Sequence, residues 1–186
     1  MLNEEVADTA LGLLLCTVRE LPQSERYLRA GKWKDAHYPL TKATLRDRTV
    51  GMVGMGRIGK AIARRLEAFG LPVVYHSRNA QQDVKYKYYP KLIDMARGSV
   101  VDEPALIDAL QKRTIYSTGL DVFANEPHVP NELLEMDHIV LFPHLGSSTE
   151  VTRAAMDQLV VDNILAWVAG KPPLTPVAET PFQPKR

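Results

Sequence analysis

The sequence has one cysteine, Cys16, so no internal disulfide can form, and a reducing, cytoplasmic setting fits. It has no excess of charge of either sign: the formal net charge is +1. Near-neutrality gives no electrostatic reason to expect nucleic acid or an anionic membrane as partner. It has no long apolar run. Residues 10–18 form the longest, too short to cross a bilayer. The opening Met1-Leu2-Asn3-Glu4-Glu5 is acidic, the wrong sign for a signal peptide. Five histidines and one cysteine stand at unrelated spacings, so no metal site is expected. No internal repeat is visible. What is there is ordinary globular composition, 45% apolar and 24% charged, enough for one domain of good size.

The most informative stretch is residues 49–70. Residues 50–53 are short, apolar and β-branched at both ends, as a buried strand is. Gly54, Gly56 and Gly59 follow with the spacing G-x-G-x-x-G. Ile58, Ala61, Ile62, Leu66 and Phe69 then recur at helical spacing, and Gly70 stands where a helix C-cap glycine belongs. The glycines therefore join a strand to a helix. Gly54 permits a tight turn, Gly56 a close approach of backbone to pyrophosphate, and Gly59 close packing of helix on strand. The free N–H groups of the helix start favour phosphate. This predicts dinucleotide binding.

Residues 71–76 read as the next strand. A site built for NAD carries Asp or Glu about 20 residues past the glycines, to hold the ribose hydroxyls. Here Ser77, Arg78 and Asn79 stand there, and no acid occurs until Asp83. A hydroxyl and a guanidinium suit a 2′-phosphate, so NADP(H) is expected over NAD(H).

The chain opens on a helix that Asn3 can cap, with Glu4 and Glu5 in its first turn and Pro22 at its end. Ser24 can cap a second helix that Gly31 stops. The apolar face of residues 6–21 packs either on a partner subunit or missing protein, or else on its own domain. Residues 84–88 alternate and suggest an edge strand. Residues 91–97 read as a short helix. Asp102 can cap the next helix, with Pro104 in its first turn. Strands are expected over 115–123 and 139–142, and a helical turn over 131–136. Ser148 or Thr149 caps a long final helix ended by Gly170, and an extended proline-rich tail follows. The expected division is a cofactor-binding domain with a helical arm over 1–148, the long helix over 149–171 and the tail over 172–186.

The fold class is α/β: a Rossmann-type doubly wound parallel sheet, reduced in strand number. Such a sheet alternates strand and helix. Between Tyr88 and Ile115 two helices run back to back, with only Gly98, Ser99, Val100 and Val101 between them. A strand is owed there, and restoring it needs a β-α-β piece of about 30 residues or more.

Five motifs in this order resemble the D-2-hydroxyacid dehydrogenases, in particular the glyoxylate/hydroxypyruvate reductase type. They are V-A-D-T-A-L-G-L-L-L (6–15), V-G-M-V-G-M-G-R-I-G (50–59), A-R-G-S-V-V-D-E (96–103), G-L-D-V-F-A-N-E-P (119–127) and P-H-L-G-S-S-T (143–149). The resemblance departs from the family's pattern in two ways. It starts after most of the family's separate substrate-binding domain. A strand, a helix and another strand are also missing where two stretches fuse across Ala96-Arg97.

The resemblance implies hydride transfer between a nicotinamide and C2 of a small 2-oxo or 2-hydroxy acid. It places the carboxylate-holding cation at Arg97, the acid at His144 and the carboxylate that orients it at Glu126. It puts the cofactor against Gly54, Gly56, Arg57, Ile58, Gly59, Ser77, Arg78, Asn79, Asp121 and Gly146, with Asp121 facing the nicotinamide amide. Arg97 now follows a helix rather than a strand, and a helix-end arginine is an equal reading of it. His128 and His138 read as surface residues. A homodimer is expected. Beside an enzyme of impaired activity, a non-catalytic dinucleotide-binding or dimerising module and a non-functional shortened product stay open.

Overall fold

The computed structural model describes residues 2–41, 44–46, 48–89 and 102–177. Arg97, the expected helix over 91–97 and the fused junction lie outside them. The chain forms two compact units, residues 2–146 and residues 147 onward.

The first unit opens with α1 (Leu2–Arg19), whose Glu4 and Glu5 complement the positive helix start and whose Arg19 complements the end. Asn3 lies inside the first turn rather than capping it. Pro22 does not end this helix. The chain breaks at Glu20, which has a left-handed φ of 53°, and Pro22 sits in the first turn of α2 (Leu21–Arg29). A first turn needs no N–H from its proline, so the residue that would block a helix interior is harmless there. Ser24 is also inside α2, its hydroxyl donating to the Leu21 carbonyl at 2.9 Å. A short 3₁₀ turn (Lys32–Lys34) follows Gly31.

Next come β1 (Val50–Val53), α3 (Arg57–Ala68), β2 (Val73–His76) and β3 (Lys87–Tyr88). The three strands are parallel in the order β1-β2-β3, with Val50 opposite Val73 and Val74 opposite Lys87. β3 is the expected edge strand cut to two residues. After α4 (Glu103–Gln111), β4 (Gly119–Leu120), α5 (Asn131–Leu134) and β5 (Val140–Leu141), a second parallel pair forms, Gly119 opposite Val140. The expected strand over 115–123 is thus mostly loop. Its ladder stops at the bond from the Phe142 N–H to the Leu120 carbonyl, 2.8 Å, after which the two chains diverge. Asp102 does cap α4, accepting from the Ala105 N–H at 3.0 Å.

Among the described residues no ladder joins β1 to β4, so the sheet comes in two pieces at the place where a strand is owed. Each piece has its own core. Leu11, Met55, Ala63, Leu66, Leu71, Val73 and Tyr75 are buried together at the first. Leu106, Leu110, Phe123, Leu133 and Ile139 are buried together at the second. Fully burying a side chain such as Leu66 or Leu110 is worth about 1.5–3 kcal/mol. α1 touches both pieces. Its Leu11 belongs to the first core, and a Cβ on Gly119 of β4 would lie 2.7 Å from Leu13. Arg65 of α3 also reaches Glu4 at 2.8 Å and Asp8 at 2.6 Å. Of the two alternatives for the apolar face of α1, packing on its own domain is therefore what the structure shows.

The second unit is α6 (Glu150–Val168), capped by the Thr149 hydroxyl, which accepts from the Thr152 N–H at 3.2 Å. Asn163 and Thr175 hydrogen-bond, holding the segment after Gly170 back along the helix. Leu159, Val160, Ile164 and Trp167 of α6 are exposed.

Candidate active site

The glycine turn has the geometry that its spacing predicts. Gly54 has a φ of +93°, open to glycine and costly for other residues. A Cβ on Gly59 would run into the Gly54 carbonyl oxygen, so helix α3 sits on the turn as closely as it does only because Gly59 lacks one. A Cβ on Gly56, the N-cap of α3, would meet nothing within 4 Å. That space borders the N–H groups of the helix start, which have no partner within the helix, a cradle of the kind a pyrophosphate fills. Arg57 and Ile58, both exposed, form the first turn beside it.

The second loop of this region is adjacent. The Gly54 N–H donates to the His76 carbonyl at 2.8 Å, which brings the carboxyl ends of β1 and β2 together. Ser77 donates its hydroxyl to the Asn79 carbonyl at 2.6 Å, and the Tyr88 hydroxyl donates to the Ser77 carbonyl at 3.2 Å. This fixes the loop and leaves Arg78 exposed, with no ion pair among the described residues. Asp83, the first acid after β2, is committed elsewhere. Lys60 of α3 holds it at 2.6 Å, and that ammonium keeps its carboxyl below the usual aspartate range.

The other pair of strands carries the candidate acid. Glu126 follows β4 and His144 follows β5, and they meet with Oε2 and Nδ1 2.8 Å apart. The second Glu126 oxygen accepts from the Phe123 N–H at 2.9 Å. His144 first, and the Phe123 amide second, hold the Glu126 carboxyl below the ordinary range. An ionised carboxylate can only accept, so Nδ1 carries the hydrogen in this bond.

His144 has a left-handed φ of 54°, an uncommon conformation that its surroundings must impose. Asp121 imposes it. Its Oδ1 accepts from the Leu145 N–H at 2.6 Å and its Oδ2 from the Gly146 N–H at 3.0 Å. Both oxygens of Asp121, the residue expected to face a nicotinamide amide, thus accept from the histidine loop, and each keeps a further lone pair. Gly146 is close-packed, since a Cβ there would lie 3.3 Å from Asp121 and 3.4 Å from Val6. Glu103, the first residue of α4, accepts from the Ala124 N–H at 3.1 Å. Of the other histidines, His128 is exposed, but His138 is not the surface residue expected. Its side chain is only 16% exposed, and that burial lowers its pKa.

The structure thus brings Gly54, Gly56, Gly59 and Ser77 together in one region, and Asp121, Glu126, His144 and Gly146 in another. The family description "D-isomer specific 2-hydroxyacid dehydrogenase, NAD binding domain" matches this chain over residues 11–91 and 85–146. The chain belongs to the D-2-hydroxyacid dehydrogenase family. Membership makes it an NAD(P)-dependent oxidoreductase of the 2-hydroxy acid class by descent.

Among its relatives, a glyoxylate/hydroxypyruvate reductase A of Arabidopsis thaliana is 41% identical over 95% of this chain and 68% of its own length. A hydroxyphenylpyruvate reductase of Plectranthus scutellarioides is 38% identical over the same shares. The solved structure of an NADPH-dependent glyoxylate/hydroxypyruvate reductase from Sinorhizobium meliloti, in complex with NADP and malonate, matches with a TM-score of 0.92 at 45% identity. It covers 100% of this chain and 70% of that one.

The Arabidopsis alignment spans 215 positions, although 95% of 186 residues is only about 177, so about 38 of its positions have no residue here. The family match likewise falls into two segments that meet at 85–91. Both agree with the owed β-α-β piece. No helix among the described residues is long and apolar enough to cross a membrane.

Proposed function

We propose that this chain binds NADP(H) in preference to NAD(H) and reduces small 2-oxo acids, such as glyoxylate or hydroxypyruvate, only slowly. The observation that carries the reading is the Glu126–His144 pair at 2.8 Å in a chain of this family. Gly54, Gly56, Arg57, Ile58 and Gly59 would hold the pyrophosphate, and Ser77, Arg78 and Asn79 the ribose with its 2′-phosphate. The bound cofactor supplies the hydride. The exposed Arg78, with no ion pair among the described residues, and the engagement of Asp83 by Lys60 favour the phosphorylated ribose. The Sinorhizobium relative, described with NADP, supports the same choice.

In this reading His144 gives the proton to the carbonyl oxygen through Nε2. Glu126 orients the ring and favours its charged form. Asp121 and Gly146 fix the loop from which His144 projects. Arg97 would hold the substrate carboxylate by a two-point contact. Slow turnover follows from the missing piece. The sequence omits the stretch whose strand delivers the arginine in the family's pattern, and a misplacement of about 1 Å can cost 10²-fold in rate.

We take residues 1–148 as the cofactor domain, 149–171 as its long C-terminal helix and 172–186 as a tail. We read the chain as a cytoplasmic homodimer, since Leu21, Leu28 and Trp33 are exposed apolar residues on neighbouring turns. A second reading, a dinucleotide-binding module without turnover, is favoured by the two-piece sheet.

The deciding experiment follows NADPH oxidation with glyoxylate and with hydroxypyruvate, comparing the chain with His144→Ala. Slow turnover abolished by that substitution supports the enzyme. Cofactor binding with no turnover in either protein supports the module. Turnover at ordinary enzyme rates overturns the claim of impairment. A light-scattering mass of one chain at micromolar concentration refutes the dimer.

A further inference from the structure

Past Leu120 the chain leaves its ladder, and the amides of Phe123 and Ala124 need acceptors other than a strand. Phe123 finds one in Glu126 itself. Ala124 finds one in Glu103, at 3.1 Å, from a different element. The N-cap task at α4 is already done by Asp102, so the Glu103 carboxylate is not needed for it. Glu103 is half-buried, and the helix that carries it is fixed by Leu106 and Leu110, which share a core with Phe123. The acceptor is therefore mounted on a rigid support, two residues from Glu126 along the loop.

We propose that Glu103 is a positioning residue: by accepting the Ala124 amide it fixes the loop that presents Glu126 to His144. The two members of the pair are then held in the same manner, each through backbone amides bonded to a neighbouring carboxylate. Asp121 takes the two amides after His144, and Glu103 takes one before Glu126. The inference rests on the reading of Glu126 and His144 given above.

The test reads the Glu126 carboxyl by carbon-13 NMR against pH, in the absence of cofactor and substrate, with Glu126→Gln to assign the signal. Glu103→Ala releases the loop and weakens the two bonds that hold the Glu126 titration low. Its midpoint should rise by about half a pH unit or more. Glu103→Gln keeps an oxygen that can accept from Ala124, and its midpoint should stay or fall slightly. The signs separate positioning from simple charge. Removing a nearby negative charge lowers the midpoint in both variants, whereas losing the positioning raises it in the alanine variant alone.

A midpoint unmoved or lowered in Glu103→Ala overturns the proposal, and so does an equal rise in both variants. Glu103→Met, which keeps the stem, replaces the alanine variant if that one fails to fold. The unsubstituted chain gives an independent check. Its Ala124 amide should exchange slowly with deuterium, and exchange at the rate of a free loop amide also overturns the proposal. These readouts need no turnover. Failure of the enzymatic reading would show separately, as absent NADPH binding or oxidation.

Discussion

Two glycines three residues apart should fail in opposite ways when each is changed to alanine. Gly59→Ala adds a Cβ that meets the Gly54 carbonyl oxygen, a backbone atom with no rotamer to escape into. Helix and turn must then separate, and overpacking that moves backbone costs about 1–3 kcal/mol, here at the upper end. Against this, alanine in a helix interior gains about 1 kcal/mol over glycine. The clash wins by about 2 kcal/mol, which at this chain length is a fall in Tm of about 4–8 °C. Gly56→Ala meets no atom within 4 Å and has an ordinary negative φ of −79°. Its cost as an N-cap change is at most about 1 kcal/mol. Its Cβ does enter the space in front of the helix start, so NADPH binding should weaken at least about tenfold, or 1.4 kcal/mol. Thermal melts followed by circular dichroism, with NADPH titrations by fluorescence, measure both. A Gly59→Ala protein that melts at or above the parent refutes the packing argument. A Gly56→Ala protein that binds NADPH as well as the parent refutes the placement of the phosphates.

Arg78→Ala should weaken NADPH by about 1–3 kcal/mol for a lost charge-assisted contact, and leave NADH nearly unchanged. Parallel titrations of the two cofactors check it, and equal losses would sink it. Leu110→Ala empties a fully buried position of the second core and should cost about 2–5 kcal/mol in urea denaturation. Glu126 makes stability depend on pH in a defined direction. Its carboxyl is held below the ordinary range in the folded chain, so its contribution is present above the unfolded glutamate range and lost as pH falls through the folded value. The stability deficit of Glu126→Gln should therefore be largest near neutrality and shrink in acid. A deficit that is constant with pH contradicts this.

The elements legible in the sequence are those whose geometry is set by nearest neighbours. The glycine turn is one, because Gly54, Gly56 and Gly59 each answer to a local backbone demand. The Asp102 cap is another, since cap and amide are three residues apart. Strand lengths were less legible. Residues 115–123 look like one strand, yet only Gly119 and Leu120 pair, because a ladder ends where its partner turns away. The break between α1 and α2 is legible but misplaced, at Pro22 rather than Glu20, because a proline is compatible with both a helix end and a helix start. Asp121 and Glu103 were missed as loop braces for a different reason. Their partners lie 24, 25 and 21 residues away along the chain, and a carboxylate that accepts a distant amide leaves no spacing to read.

The missing piece itself was legible, as a break in the alternation of strand and helix, and it divides the two tasks of the site unequally. The proposed cofactor contacts come from the turn after β1, the start of α3 and the loop after β2. These are consecutive in the chain and joined by one ladder with its own core. No part of that assembly requires the strands that are absent. The proposed proton-transfer groups, Glu126 and His144, follow β4 and β5, a separate pair of strands, and the proposed carboxylate-binding Arg97 lies outside the described residues. Binding at the first set is therefore expected to survive as a local property. Catalysis needs all three to meet one substrate, and its geometry is carried between the two sheet pieces by α1 and within the second piece by Asp121, Glu126 and Glu103. Relaxing any of these links lowers the rate before it lowers cofactor affinity. A variant that weakens the hold of α1 on α3, Arg65→Ala, should accordingly reduce whatever turnover exists while NADPH still binds. Parallel loss of both would show that the two halves stand or fall together.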